Sequence, residues 1–260
     1  MSNMDAIVFF LDALGSHIKG LSEHDHPLNQ YLYTNTAQAH IELLFGVPAQ
    51  EAGVKKWQDI PDDCHDQWDA LWDKSQAYFG VAGIAGTVPT PYKMRGWFVR
   101  VLGELAATYP QELHSELVER GLVEERQGDY RDHERVRKVR TRNFELRKTA
   151  FPWLLRKRPV NIAILGFLVV DRICHFSESK AQRKIPKVIG TAKNIEEEFD
   201  PEYVFYFSDH DFSHRGGAWL STNYDGDFSS LVDVHNALVE IGKKPMEEVK
   251  SRLRALGYDV

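Results

Sequence analysis

The chain has 260 residues, 43% of them hydrophobic and 27% charged, with a formal net charge of −6. That length and composition allow one large domain or two small ones around a proper core, and exclude a chain disordered over most of its length. The longest apolar run, 160–170, is broken by Asn161 and Gly166, well short of the roughly 20 apolar residues a spanning helix needs.

The acidic start, Met1 to Asp5, lacks the basic region of a signal peptide. Cys64 and Cys174 are far apart and form no Cys-x-x-Cys motif. Two reduced thiols in a cytoplasmic protein without a membrane partner are the expectation.

In chain order, Met4, Ile7, Val8, Leu11, Leu14 and Ile18 recur at helical spacing, predicting a helix that ends near Gly20. A polar break at 22–27 precedes a second helix over 28–45, closed by Gly46 and Pro48. A third follows Pro61, capped by Asp62 or Asp63, with Trp68, Leu71, Trp72, Tyr78 and Phe79 along one face. The Gly- and Pro-rich stretch 80–91 is a soft boundary. Met94, Trp97, Phe98, Val101, Leu102 and Leu105 form another helical stripe. Pro110 opens a helix over 111–120 that Gly121 stops.

A short strand over 122–126 and a turn at 127–129 lead into a basic helix from Tyr130, whose apolar seam is only Val136, Val139, Leu146 and Ala150. Pro159 suits the start of a buried helix over 160–176, with a strand over 162–170 as the rival reading. Then come a short strand at 187–190 and an acidic helix over 193–199. The aromatic, β-branched run 203–207 is the clearest strand, and 218–222 is a second. Asp227 caps a helix reaching Ile241, and Pro245 starts a last one.

The fold expected from this pattern is α+β and mainly helical. It divides into a helical N-terminal region (1–91), a basic helical and winged-helix-like region (92–158), and a C-terminal α/β region with a small sheet flanked by helices (159–260).

The charge is uneven. Residues 126–158 hold twelve Lys and Arg against four acids, within a chain that is acidic as a whole. Such a concentration points to a polyanion, because each neutralised phosphate releases condensed counterions. Arg131, Arg135, Arg137, Lys138, Arg140, Arg142, Arg147 and Lys148 are the candidate nucleic-acid contacts. The helix–turn–helix rhythm upstream, running into Leu122-Val-Glu, has the cadence of a winged helix. Against it, the helix in the recognition position carries Glu112, Glu116 and Glu119. The competing reading is a solvated helix whose cations pair with acids of this chain or of a second copy in a homo-oligomer.

A second cluster follows the best strand: Ser208-Asp-His-Asp-Phe-Ser-His-Arg-Gly-Gly217. Asp209, Asp211 and His214 have the chemistry to hold Mg²⁺, Mn²⁺ or Zn²⁺, and Arg215 beside two glycines has the chemistry to steady a phosphate. In that reading Asp209, Asp211 and Arg215 are the catalytic groups. An ordinary polar turn is the alternative. Asp171 with Glu178-Ser-Lys180 has the letters of a metal-nuclease signature, but its acids are spaced to share one helix face. His24-Asp-His26 and Asp62-Asp-Cys-His65 read as a solvated loop and a helix N-terminus.

The sequence-based expectation is therefore a nucleic-acid-binding protein, DNA before RNA, with a divalent-metal site suited to phosphodiester cleavage. The alternatives are a metal-dependent enzyme on a small phosphorylated substrate and a non-catalytic protein-binding adaptor.

Overall fold

The computed structural model describes residues 4–28, 36–84, 88–126, 131–212, 217–243 and 254. Its strands are β1 (Ala6–Leu11), β2 (His24–Pro27), β3 (Phe79–Ala82), β4 (Gly96–Val99), β5 (Thr108–Tyr109), β6 (Ile162–Phe167), β7 (Tyr203–Ser208) and β8 (Trp219–Thr222). They form a single sheet in the order β2-β8-β7-β1-β6-β3-β4-β5. The inner five, β7 to β4, are parallel, and β2–β8, β7–β8 and β4–β5 are antiparallel. Strands come from all three sequence segments: β1–β3 from 1–91, β4 and β5 from 92–158, and β6–β8 from 159–260.

Helices cover both faces. They are α1 (Thr36–Phe45), α2 (Cys64–Gln67), α3 (Gln111–Glu119), α4 (His133–Lys157), α5 (Val169–Cys174), α6 (Glu178–Gln182), α7 (Ile185–Phe199) and α8 (Leu231–Ile241). Val8 and Phe10 of β1 pack with Ile164 and Phe207 into the layer beneath α1 and α8. Ile7, Phe9 and Leu11 pack with Leu165 and Tyr206 beneath α4 and α7. Both sides of the central strands are therefore buried, at about 1.5–3 kcal/mol for each large side chain taken out of water. The architecture is α/β with a mixed sheet; the mainly helical and winged-helix expectations are not supported.

This two-sided burial explains the departures from the sequence reading. A strand covered on both faces loses its polar alternation, so its apolar residues also satisfy a helical period. Thus 4–18 is β1 followed by a single turn of 3₁₀ helix at Gly15–Ile18. The stripe from Met94 is β4, whose first residue, Gly96, has φ +115°; a Cβ there would lie 1.9 Å from the Phe79 carbonyl oxygen. Among the described residues 88–110 only a single 3₁₀ turn, Leu105–Ala107, lies ahead of α3, so no helix–turn–helix forms, and 122–126 is irregular rather than a wing strand. The polar break at 22–27 contains the edge strand β2, and Pro159 leads into β6, the strand that was the rival reading. Residues 187–190 lie inside α7, and the described part of the second helix is α1, closed by Gly46 at φ +66°. The elements found as expected are α3 with Gly121 in the left-handed region, the basic helix α4, β7, β8 and α8. The helix expected from Pro245 falls outside the described residues, Arg254 apart.

Candidate metal centre

Three neighbouring parallel strands end together, and each delivers a carboxylate. Asp12 follows the last residue of β1, while Asp209 and His210 follow Ser208 of β7. The register that pairs Phe10 with Phe207 brings Asp12 level with Asp209. On the other side of β1, Leu11 pairs with Phe167, after which the chain turns into α5 and presents Asp171. The carboxyl ends of parallel strands are where open α/β sheets bind ligands, because the chain leaves the hydrogen-bonded frame there.

One ligand atom each from Asp12, Asp209 and His210 lies within 4.8 Å of the others. His210 Nε2 is 3.3 Å from Asp12 Oδ1, 3.5 Å from Asp209 Oδ2 and 4.0 Å from Asp171 Oδ1. His175, one helical turn after Asp171, places Nε2 3.2 Å from the same Oδ1. Asp209 is 0% exposed and Asp12 2%. Asp12 Oδ1 and Asp209 Oδ2 are buried without a hydrogen bond, which costs free energy unless a further partner satisfies them.

Local geometry fixes this arrangement. Gly15 adopts φ +51°, and a Cβ there would lie 2.9 Å from Asp211 Cβ, so only glycine lets the loop after β1 fold against the loop after β7. The Gly15 N–H then donates to Ser208 Oγ at 2.8 Å, and the Ser208 hydroxyl donates to the His210 carbonyl at 3.1 Å. His210 Nδ1–H donates to the Asp211 carbonyl at 2.8 Å. That bond leaves Nε2, the nitrogen facing the carboxylates, as the ligating atom of the neutral ring.

The electrostatics are those of a site short of positive charge. Burial, reinforced by Asp209 and Asp171, raises the Asp12 carboxyl well above the ordinary carboxylate value despite His210. Burial opposes charge on His210, but Asp209 and Asp12 outweigh it and push the ring up to about 10. Burial would also raise Asp171, yet His175, Arg172 and His210 hold it below its usual value. Cys174 donates to the Asp171 carbonyl at 3.0 Å and is pushed up to about 12 by burial and the nearby acids, so it is not a thiolate nucleophile. Both cysteines are free.

Of the residues expected from sequence, Asp209 joins the cluster. Asp211 instead packs against Gly15 and Gly217, and His214 and Arg215 lie outside the described residues. Glu178 is exposed on α6, separate from buried Asp171 on α5, so the nuclease-like signature is not assembled. Sequence reasoning missed Asp12, His175 and His210 as ligands, and weighed Asp171 only with Glu178 and Lys180. The available signal was an Asp closing, or nearly closing, each of three apolar runs.

The basic segment serves a different purpose from the expected one. Arg147 is buried: its Nε lies 2.5 Å from Glu124 Oε1, and its Nη1 donates to the Gly83 and Gly166 carbonyls. Arg142 pairs with Glu125 at 2.8 Å, Lys138 with Glu134 at 2.8 Å and Lys148 with Glu145 at 2.9 Å. Further along, Arg156 pairs with Glu198 and Arg158 with Glu116. Arg137 and Arg140 are half-buried, and Arg131 and Arg135 are exposed at the start of α4. The helix is bound into the fold through its own chain's acids, and the nucleic-acid-binding expectation is corrected accordingly.

No protein-family model and no curated protein matches the sequence. Among solved structures, the fold is similar to an alkaline phosphatase from the Antarctic bacterium TAB5, with TM-score 0.47 and 10% identity over 92% of this chain and 97% of that one. A histidine-to-glutamate mutant of the TAB5 alkaline phosphatase, with Mg bound in its M3 site, gives TM-score 0.48 and 9% identity over the same shares. Likeness at this level does not assign an activity. No helix among the described residues is long and apolar enough to cross a membrane.

Proposed function

We propose that the chain is a metal-dependent hydrolase of a small phosphate ester, its chemistry centred on Asp12, Asp171, His175, Asp209 and His210. The observation that carries this reading is the pair of buried, hydrogen-bond-free carboxylate oxygens, Asp12 Oδ1 and Asp209 Oδ2, facing one imidazole nitrogen. Three carboxylates with His210 protonated still leave the site negative, and a divalent cation balances that charge. Carboxylate oxygen and imidazole nitrogen form a donor set that suits Zn²⁺, Mn²⁺ or Mg²⁺.

Asp12, Asp209 and His210 would hold one ion, and Asp171 with His175 offers donors for a second. Bound metal supplies Lewis acidity toward a phosphoryl oxygen and a water ionised near neutral pH. The chain's own groups supply the rest. The Asp211 carbonyl keeps the His210 Nδ1 proton in place, so Nε2 can give up its own proton on metal binding.

The test is turnover of p-nitrophenyl phosphate and bis(p-nitrophenyl) phosphate with Zn²⁺, Mn²⁺ or Mg²⁺ against chelator. Metal-dependent release from the monoester that disappears in Asp209→Asn is expected. No turnover with any of the three ions, or unchanged turnover in Asp209→Asn, would eliminate the assignment.

A further inference from the structure

Along α4, acids of this chain meet Lys138, Arg142, Arg147 and Lys148. Arg137 is different. It is half-buried, and it makes no ion pair or side-chain hydrogen bond with another described residue. The same holds for Lys180 on α6, for Lys184 at the N-cap of α7 and for Lys187 in its first turn. Burial first, then Lys187, holds the Lys184 ammonium below its ordinary value; Glu145 opposes this and Arg137 adds to it. Glu145 is itself engaged by Lys148. Cations gathered without a counterion raise the free energy of the fold, and an anion among them lowers it. Only Arg137 belongs to the basic segment; its companions come from α6 and α7.

Arg137 and Lys180 line one cleft of about 420 Å³, together with His133, Ile173 and Phe176. That volume lies within the range of about 300–1,000 Å³ that small ligands occupy. Glu134 borders the cleft too, but its carboxylate sits 2.8 Å from Lys138. The rings of His133 and Phe176 pair there, with centroids 4.4 Å apart and planes inclined by 31°. His133 is exposed and Phe176 half-buried, so the pair leaves ring surface open to a third ring. Phe176 directly follows His175, whose Nε2 is 3.2 Å from Asp171 Oδ1. An occupant of the cleft therefore touches the chain one residue from the metal-ligand set.

We infer that this cleft is a binding site for a small aromatic anion, its ring lying on the His133–Phe176 pair and its acid group held between Arg137 and Lys180. The guanidinium fork and the ammonium donate charge-assisted hydrogen bonds to carboxylate, sulfonate or phosphate oxygens. The ring adds stacking that a simple anion lacks, and the acid adds charge that a neutral ring lacks. A long polyanion gains little here, because the neighbouring Lys138, Arg142 and Lys148 already face acids and the open charge is confined to the cleft. The site stands on its own residues and does not depend on the metal-dependent reading above. One ligand chemistry has two sources: the leaving-group end of a substrate held at the metal cluster, or a separate effector.

The experiment is calorimetric titration of naphthalenesulfonate, an aromatic anion with no ester to hydrolyse, into Zn²⁺-loaded wild type. Naphthol and methanesulfonate serve as the ring-only and anion-only probes, and this comparison needs no variant to fold. Naphthalenesulfonate is expected to bind at least about 10-fold more tightly than either. Arg137→Gln should weaken it roughly 10- to 100-fold, the worth of charge-assisted hydrogen bonds, and Phe176→Leu about 3- to 10-fold, the worth of an aromatic pair. Lys180→Gln, on the exposed face of α6, gives a second loss of charge, and Asp209→Asn should leave the affinity unchanged. The absence of binding by wild type would overturn the inference, as would wild-type affinity in both Arg137→Gln and Lys180→Gln. Binding lost in Asp209→Asn would also overturn it, placing the sulfonate at the metal cluster. So would a wild-type dimer that Arg137→Gln dissociates in sedimentation, since the cleft would then be a contact between copies. Competitive inhibition of p-nitrophenyl phosphate turnover identifies the occupant as a leaving group, and binding without competition identifies a separate effector. Arg137-dependent binding without any ester turnover retains the site and defeats the hydrolase reading; turnover without binding does the reverse.

Discussion

His210 Nε2 stands 3.3 Å from Asp12 Oδ1, bridging the ends of β7 and β1 beneath two carboxylate oxygens that no hydrogen bond satisfies. The contact joins the ends of the two strands, and the facing carboxylates favour a proton on the ring. Burial and Asp209 raise Asp12 well above its ordinary value, while Asp209 and Asp12 keep His210 charged up to about 10 against the effect of burial. Sites assembled for binding typically cost stability in this way.

Asp12→Asn should therefore separate fold from function. A carboxyl whose folded pKa is raised destabilises the native state as pH rises from its unfolded value through the folded one. Replacing it with the neutral isostere should raise stability at pH 7 in the absence of added metal, measured by urea denaturation, while abolishing metal-dependent turnover. An Asp12→Asn protein less stable than wild type without metal would show that this carboxylate is a structural group.

Metal addition should stabilise only a protein with the intact cluster. A cation at about 100 times its dissociation constant adds about 2.7 kcal/mol. For a chain this long that is a rise of roughly 5–10 °C in Tm, reversed by chelator. Thermal scans of wild type and Asp209→Asn with Zn²⁺, Mn²⁺ and Mg²⁺ check this, and equal shifts in the two proteins would place the ion elsewhere.

How much of this was legible in the sequence depended on how many faces each element buries. The basic helix α4 and the amphipathic α3 and α8 each keep a polar side, so their periodicity survived. β1 and β6 bury both faces, and Ile7, Val8 and Leu11 satisfied a helical period as well as a strand's. Reading β1 as a helix hid Asp12, since the end of a helix has no register against β7. Asp209 was visible because β7 was recognised, and its true partners come from strands the sequence does not order. The charge excess over 126–158 was real but not informative about ligands: Glu116, Glu124, Glu125 and Glu198, all outside the segment's basic core or the segment itself, meet its arginines only in three dimensions.

The arginines of that segment should accordingly separate by burial. Arg147 ties α4 to Glu124 and to the carbonyls of Gly83 and Gly166, near the ends of β3 and β6. Arg147→Ala leaves Glu124 buried and unpaired and should cost about 3–5 kcal/mol. Arg142 pairs with Glu125 in solvent, and Arg142→Ala should cost less than about 1 kcal/mol. Chemical denaturation of both variants measures the gap, and similar losses would mean that Arg147 is not the anchor of the helix.

His40 gives a pH test independent of catalysis. Burial, with a contribution from Arg172, lowers its ring from 6.5 to about 3, so it is neutral in the native state. An unfolded chain takes up a proton near 6.5 that the native state refuses until about 3. Between those values the unfolded state binds more protons, and stability falls as pH drops, by about 1.4 kcal/mol per pH unit for this one group. From pH 6.5 to 5 the loss is about 2 kcal/mol. His40→Phe removes the titrating ring from a pocket already lined by Phe10 and Trp57, and neither ring nitrogen has a hydrogen bond to lose. Urea midpoints at pH 7 and pH 5 should therefore differ less in His40→Phe than in wild type by about that amount, with the variant at least as stable at pH 7. An identical acid loss in the two proteins would mean that the imidazole is already protonated in the folded chain, and that its two nitrogens have found an acceptor.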